Sequence, residues 1–389
     1  MRGFSYRPPR FITVRKRTFS KNTKQRNFTA MLENTKYKLE KEKKLTCVFL
    51  GGSITEGAGA TNPACCWASR FDDYLKERYA DCDIRAVNVG IGGTGSDLGA
   101  YRCEKDVLSA KPDLVFYEFA VNDYWMAQSE IADCCEAILY KIRRALPCCD
   151  IIFLYTTTKT VCENLAQGNL YTSRSVHTAT AYRYGNIMQI DVGEVIRTKI
   201  LTEGGDFARY LPDTVHPNDL GHGVYFETIR NKFTEAIENA EKLSEPKPYA
   251  LPALSKTDFS RITAHMKDSF DTECSGFEKI NTSFFGKYPH YIEGKNPGDS
   301  VTFTFSGRKL DLFCERSKDS GTVIYKIDDL PEQSVSTWDE YCKDYNRPSI
   351  IPLTQWLPQG EHTVTLRISD EKAAESQGHA VRIAAFLIV

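Results

Sequence analysis

Between Thr46 and Val192 the chain alternates two kinds of pattern. Short, mostly apolar runs occur at Thr46–Leu50, Ile84–Val89, Leu114–Phe119, Ile151–Thr156 and Ile187–Val192. Such runs, rich in Val, Ile, Leu and Phe, read as strands buried on both faces. Segments with apolar residues at helical spacing separate or follow them: Trp67–Tyr79, Ala100–Ser109, Ile131–Ala145, Ala179–Tyr184 and Gly221–Leu243. Five strands alternating with helices predict an α/β domain with one parallel sheet covered on both faces. Functional groups on such a sheet are expected at the C-terminal ends of its strands.

After the last helical segment the pattern changes. Ser244–Ser255 has no periodicity and contains Pro246, Pro248 and Pro252, which reads as a linker. Beyond it, Val301–Phe305, Lys309–Cys314, Thr322–Ile327, His362–Ile368 and Val381–Val389 read as strands. Turn signals lie between them at Ser306-Gly307, Asp328-Asp329 and Gln359-Gly360. With few helix signals left, this predicts an all-β, jelly-roll-like sandwich. The expected organisation is an α/β domain over 31–243, a linker over 244–255 and a sandwich over 256–389. A polar and aromatic cluster, Asp339, Glu340, Tyr341, Asp344 and Tyr345, follows Trp338. As a loop on a rigid sheet it could reach the site, in the same chain or across a homodimer, or it could be a solvated surface loop.

Composition narrows the partners. The 389 residues carry a net charge of −1, which argues against a nucleic-acid binder that relies on bulk charge. No run of apolar residues is long enough to span a membrane. Residues 1–30 are basic, with nine Lys or Arg and no acid before Ala30. They read as a disordered tail; an organelle-targeting peptide shares the charge bias, but Pro8-Pro9 would interrupt its helix. No apolar segment near the N-terminus suggests a secretory signal. Thirteen cysteines, including the neighbours Cys65-Cys66, Cys134-Cys135 and Cys148-Cys149, read as reduced and partly buried thiols, and the expected location is cytoplasmic.

The chemistry lies in four short segments. The first strand ends in Gly51-Gly52-Ser53-Ile54-Thr55. Glycines there permit a tight strand-to-helix turn that exposes a hydroxyl beside the backbone N–H groups of a helix start. The same residues also suit a glycine turn with an N-capping serine, and the familiar Gly-x-Ser-x-Gly elbow is absent, since Thr55 takes its last position. Asp213 and His216, in Asp213-Thr214-Val215-His216-Pro217, are spaced so that one loop can hold a carboxylate against one imidazole nitrogen while the other faces Ser53. They also read as a turn aspartate and a loop histidine. His177 and His222 compete for the role of base; no carboxylate lies near His177 in sequence, and His222 sits where the last helix begins. Gly93 and Asn122, in Asn88-Val89-Gly90-Ile91-Gly92-Gly93 and Val121-Asn122-Asp123, offer a backbone N–H and an amide to an oxyanion. They also suit a glycine loop and an Asn-Asp turn.

Taken in this order, the four segments resemble those of the SGNH, or GDSL-type, hydrolase superfamily over roughly residues 45–240. The resemblance implies a three-layer, flavodoxin-like α/β/α fold. It implies Ser53 as nucleophile, His216 as base and Asp213 as its partner, with Ser53, Gly93 and Asn122 forming the oxyanion hole. It departs from the family in one place, where Gly-Gly-Ser replaces Gly-Asp-Ser; the missing Asp is not itself catalytic. Gly51–Gly57 together with Glu118–Asp123 is similar to the corresponding segments of microbial carbohydrate acetylesterases with an accessory β-sandwich. The implied activity is hydrolysis of short-chain esters, on oligosaccharides or small molecules, with no metal or organic cofactor. Tyr124 and Trp125, directly after the third segment, are expected at the site rim, where an aromatic face can stack on a sugar ring or simply pack. Trp67 reads as core.

Three rivals remain open on sequence. Gly90–Gly95 fits the spacing of a dinucleotide-binding loop, with Glu118 as the ribose acid, but it follows the second strand and leaves Ser53 and His216 without a role. The same triad could serve a sugar O-acyltransferase. A non-catalytic carbohydrate-binding protein could also keep the fold.

Overall fold

The computed structural model of the chain describes residues 31–256 and 260–389; the expected basic tail lies outside the described residues. In the first domain β1 (Lys44–Gly51), β2 (Asp83–Asn88), β3 (Leu114–Glu118), β4 (Asp150–Tyr155) and β5 (Ile187–Asp191) form one sheet. Its order is β2-β1-β3-β4-β5, and every neighbouring pair is parallel. Successive side chains of a strand point to opposite faces. On β1, Cys47 and Phe49 join one core, and Val48 and Leu50 the other. Both faces therefore need cover.

The helices are α1 (Glu33–Tyr37), α2 (Ser53–Glu56), α3 (Trp67–Arg78), α4 (Ser96–Arg102), α5 (Gln128–Ala145), α6 (Lys159–Ala166), α7 (Thr172–Tyr184), α8 (Val192–Thr202) and α9 (Asp219–Asn239). Trp67 and Phe71 of α3, Ile196 of α8 and Phe233 of α9 cover one face. Ala100 of α4, Ile138 of α5 and Ala181 of α7 cover the other. Some bounds differ from the sequence pattern for local reasons. The helix expected at Ala100 starts at Ser96, because a distant carboxylate, Asp123, accepts the Ser96 N–H at 2.8 Å. Helix α8 begins where a strand was expected to end, because the Asp191 side chain accepts the Glu194 N–H and caps it. Thr158 caps α6 in the same way.

The second domain is a pair of antiparallel sheets. Its strands are β6 (His265–Asp268), β7 (Glu273–Ser275), β8 (Glu278–Ile280), β9 (Tyr291–Gly294), β10 (Ser300–Gly307), β11 (Leu310–Arg316), β12 (Thr322–Ile327), β13 (Gln333–Ser336), β14 (Arg347–Pro352), β15 (Gly360–Ile368) and β16 (Val381–Ile388). One sheet runs β13-β12-β15-β10-β7 and the other β14-β11-β16-β9-β8, with β6 also paired to β16. Alternate residues such as Val301, Phe303 and Phe305 of β10 and Val364, Leu366 and Ile368 of β15 meet Leu310, Leu312 and Phe386 of the facing sheet. Strand β14 escaped the sequence pattern because it contains Pro348 and Pro352; it lies at a sheet edge, where proline is tolerated.

The proline-rich segment 244–255 contains neither helix nor strand, yet it is docked on the first domain. Asn34 and Lys247 exchange two hydrogen bonds, at 2.7 and 2.9 Å, and Glu136 accepts the Ser255 N–H at 3.0 Å. The domains share a fourth apolar cluster. Ile91, Leu98 and Tyr101 of the first domain pack with Phe284, Tyr288, Phe313 and Leu387 of the second. At its border the Tyr101 hydroxyl donates to Asp311 at 2.9 Å, and Arg261 donates to Tyr101 and to Glu130.

Candidate active site

The order of the parallel sheet reverses at β1, between β2 and β3, and ligand sites of open α/β sheets lie at such a point. The loops after these three strands carry Ser53, Gly93 and Asn122. The turn at the end of β1 requires glycine: a Cβ on Gly52 would stand 2.3 Å from Asn122 Oδ1. The Asn122 side chain thus lies against the backbone just before Ser53, which opens α2.

Ser53 Oγ is 2.8 Å from His216 Nε2, and His216 Nδ1 is 2.6 Å from Asp213 Oδ2. The loop closes around the carboxylate, whose Oδ1 accepts the N–H groups of Val215 and His216 at 3.0 and 2.6 Å. This wrapping places Thr214 at φ +72°, an uncommon conformation for a β-branched residue. Partial burial pushes the Asp213 carboxyl up, but its bonds to the His216 ring and to the two backbone N–H groups more than offset this, and it sits below its ordinary range. An ionised Asp213 accepting Nδ1–H leaves Nε2 free to accept the Ser53 hydroxyl proton.

The loop after β2 is drawn against α2. Asn88 donates to the Thr55 carbonyl at 2.7 Å and accepts the Gly90 N–H at 2.9 Å. Gly92 N–H donates to Glu56 at 2.8 Å. Gly93 has φ +72°, and nothing stands within 4 Å of where its Cβ would be. Asn122 opens a tight turn, Asn122–Trp125, after β3. The next residue, Asp123, accepts the Ser96 N–H and bonds His177 Nε2, each at 2.8 Å. One buried carboxylate therefore ties the turn bearing Asn122 to the end of the loop bearing Gly93. The loops bearing Gly93 and Asn122 both border Ser53: a Cβ on Gly92 would stand 3.6 Å from Ser53 Cβ, and the Asn122 side chain lies against Gly52.

Supporting groups that sequence reasoning missed lie beneath these loops. Glu118, fully buried at the end of β3, accepts from Thr55 at 2.9 Å and Thr156 at 2.7 Å. Burial raises its carboxyl to about 7, despite those bonds. Arg102, also fully buried, donates to the carbonyls of Gly51 and Val89 and so joins the ends of β1 and β2. The available signal for both was a charged residue inside an otherwise apolar run, Leu114–Phe119 for Glu118 and Leu98–Cys103 for Arg102.

The competing histidines are placed elsewhere. His222 is buried between the Trp67 N–H and the Ala58 carbonyl, and burial depresses it to about 4. His177 lies far from any carboxylate in sequence, but the fold pairs it with Asp123 and with the Tyr117 hydroxyl. Of the two aromatic residues expected at the rim, Trp125 is 85% exposed, its ring edge-on to Tyr124. Tyr124 is half-buried and its hydroxyl accepts from Asn164. Trp67 is core. The glycine loop 90–95 is ill suited to a pyrophosphate: the start of α4, where the phosphates would bind, is already taken by Asp123. In the sandwich, Asp339 pairs with Arg316 and Arg347 of its own domain. A sandwich side chain that does reach α2 is Lys287, 3.4 Å from Glu56. Among the described residues no cluster of three or more His, Cys, Asp or Glu is placed to hold a metal ion. No helix among them is long and apolar enough to cross a membrane.

This fold, with Ser53, His216 and Asp213 hydrogen-bonded in a line beyond the carboxyl ends of its strands, is that of a carboxylic ester hydrolase. Residues 49–224, which lie within the α/β domain, match the GDSL-like Lipase/Acylhydrolase family. No curated protein matches the sequence. Among solved structures, a two-domain esterase (CEX) active on acetylated mannans is 21% identical, with a TM-score of 0.79 over 92% of this chain and 95% of that one. The same esterase co-crystallised with mannopentaose gives 0.77 at the same identity and coverage. The acetylxylan esterase Axe2 from Geobacillus stearothermophilus is 21% identical over 52% of this chain and 97% of its own, with a TM-score of 0.39.

Proposed function

We propose that the protein removes acetyl groups from oligosaccharides through a covalent ester on Ser53. The observation that carries the reading is the unbroken chain Ser53–His216–Asp213, at 2.8 and 2.6 Å. Ser53 Oγ attacks the acetyl carbonyl as its proton passes to His216 Nε2. The carbonyl oxygen becomes an oxyanion held by the Ser53 and Gly93 N–H groups and the Asn122 amide, each such donor being worth about 3 kcal/mol. Collapse expels the sugar hydroxyl, which takes the proton from His216. A water then gives a proton to His216 and attacks the acyl-enzyme, and acetate leaves as Ser53 regains its hydrogen. Asp213 keeps the ring in the required tautomer throughout.

The carbohydrate part of the reading is supported by a likeness that spans both domains of an esterase of acetylated mannans, and by the exposed Trp125 ring beside Asn122. The apolar C–H face of a sugar can stack there. Thirteen unbridged thiols suit a reducing compartment, so we infer that the substrate is a short oligosaccharide met in the cytoplasm. Replacing Ser53 with Ala is expected to abolish turnover of an aryl acetate while leaving the melting temperature near that of the native protein. Acetate release should favour acetylated manno- or xylo-oligosaccharides over lipid-like esters. Retained turnover in Ser53→Ala rejects the mechanism, and a preference for long acyl chains rejects the substrate class.

A further inference from the structure

The sandwich sends one side chain to the nucleophile helix. Lys287 Nζ lies 3.4 Å from Glu56 Oε1, while the other oxygen of that carboxylate, Oε2, accepts the Gly92 N–H at 2.8 Å. Gly92 directly precedes Gly93, and a Cβ placed on it would stand 3.6 Å from Ser53 Cβ. A continuous line of contacts thus runs from the second domain, through Glu56, to the peptide before the Gly93 donor.

Lys287 is held firmly. It is the last residue of the tight turn Phe284–Lys287, inside a loop closed by the paired Phe284 and Tyr288; Phe285 and Gly286 both have positive φ, +50° and +70°, and the Lys287 N–H donates to the Phe284 carbonyl at 3.1 Å. Such a loop favours Asn, Asp or Gly at its first central position. A phenylalanine there is strained, and strain of this kind gathers at functional places. The flanking Phe284 and Tyr288 are buried in the cluster that also contains Ile91, two residues before Gly93. Lys105 of the first domain lies over the Tyr288 ring, 4.6 Å from its centre. The hairpin is therefore fixed to the loop whose geometry is at stake.

Glu56 needs such a partner. Its carboxylate is about one-third exposed, and a flexible, hydrated glutamate gains little by staying on one peptide N–H. A partly exposed ion pair adds little to stability; here its consequence is geometric. We propose that Lys287 is a positioning residue for the oxyanion site, holding Glu56 on the Gly92 N–H and thereby fixing the Gly93 donor beside Ser53. The inference rests on the esterase reading above.

The test is steady-state hydrolysis of an aryl acetate by the full chain and its Lys287→Met, Lys287→Arg, Glu56→Gln and Lys287→Met/Glu56→Gln variants. Alongside it, the rate at which a fluorophosphonate labels Ser53 is measured, since its P=O oxygen enters the same oxyanion site. Lys287→Met is expected to lower kcat and the labelling rate together, by roughly three- to tenfold, with KM nearly unchanged. That is well short of the 10²–10³ that follows loss of a donor. Lys287→Arg should recover most of the loss, and the double variant should be no slower than the slower single one. Native kcat and labelling in Lys287→Met overturn the proposal. So do additive effects in the double variant, or a loss in Lys287→Met that Arg does not repair. If the native protein is labelled but hydrolyses no acetyl ester, the substrate reading fails while the labelling rates still decide the role of Lys287. Absence of labelling in the native protein overturns both.

Discussion

Asp123 and His177 are both sealed from water, with Nε2 and the carboxylate 2.8 Å apart. Burial pulls the ring towards neutrality, but the hydrogen bonds and charges of Asp123 and Cys135 together outweigh it and raise His177 to about 9. A histidine whose folded value lies above its ordinary 6.5 stabilises the fold fully below 6.5, and that contribution is lost as pH rises through 9. The difference corresponds to on the order of 3 kcal/mol. Denaturant unfolding at pH 6 and pH 10 should show this loss in the native protein. His177→Gln should be less stable at pH 6 and should lack that part of the pH dependence. At this scale Ser53, Asp213 and His216 were legible because each lies in a segment whose neighbours explain it: glycines before Ser53, and three-residue spacing between Asp213 and His216. Glu118, Arg102 and the Asp123–His177 pair were not, because each draws its meaning from partners distant in sequence, 63 and 38 positions away for Glu118 and its two threonines.

The loop from Asp213 to His216 shows how an element accommodates a site. Its backbone wraps one carboxylate, and Thr214 takes a left-handed conformation in consequence. A β-branched residue is poorly suited to that region, whereas asparagine adopts it readily. Thr214→Asn should therefore raise stability by roughly 0.5–1 kcal/mol, read as a higher denaturant midpoint at unchanged slope. Relieved strain predicts that sign, and a lower midpoint would show that the threonine side chain contributes more than its backbone costs. Strands β1, β3, β4 and β5 were legible because burial on both faces demands an apolar run; β2, a partly exposed edge strand, still kept apolar residues at Ile84, Ala86 and Val87. The short β6 to β9 and the proline-bearing edge β14 were not, since they are defined by pairing rather than by pattern. Helices α6 and α8 were hidden by their flanks: the β-branched Thr156 and Val192 read as strand ends, while side-chain caps at Thr158 and Asp191 start each helix.

The whole molecule is closed by the cluster around Ile91, Leu98, Tyr101, Phe284 and Tyr288. Cutting the chain after residue 255 would bare that surface and strip Glu130 and Asp133 of Arg261. The shortened protein is expected to associate or melt earlier, and to turn over an aryl acetate more slowly per folded molecule; size-exclusion chromatography and active-site titration check this. A monomeric and fully active fragment would show that the sandwich is dispensable for the chemistry. The change of pattern after Ser244 was enough to separate two domains, but nothing in either pattern announced that they pack into one another, because Ile91 and Phe284 look like ordinary core residues until the chain is folded. Close-packed side chains tolerate little change in volume on one side alone. A substitution at Phe284 or Tyr288 has therefore to be answered at Ile91 or Tyr101, and the two halves of this gene are bound to diverge in step, the loop beside the nucleophile inheriting the history of a domain that carries no member of the triad.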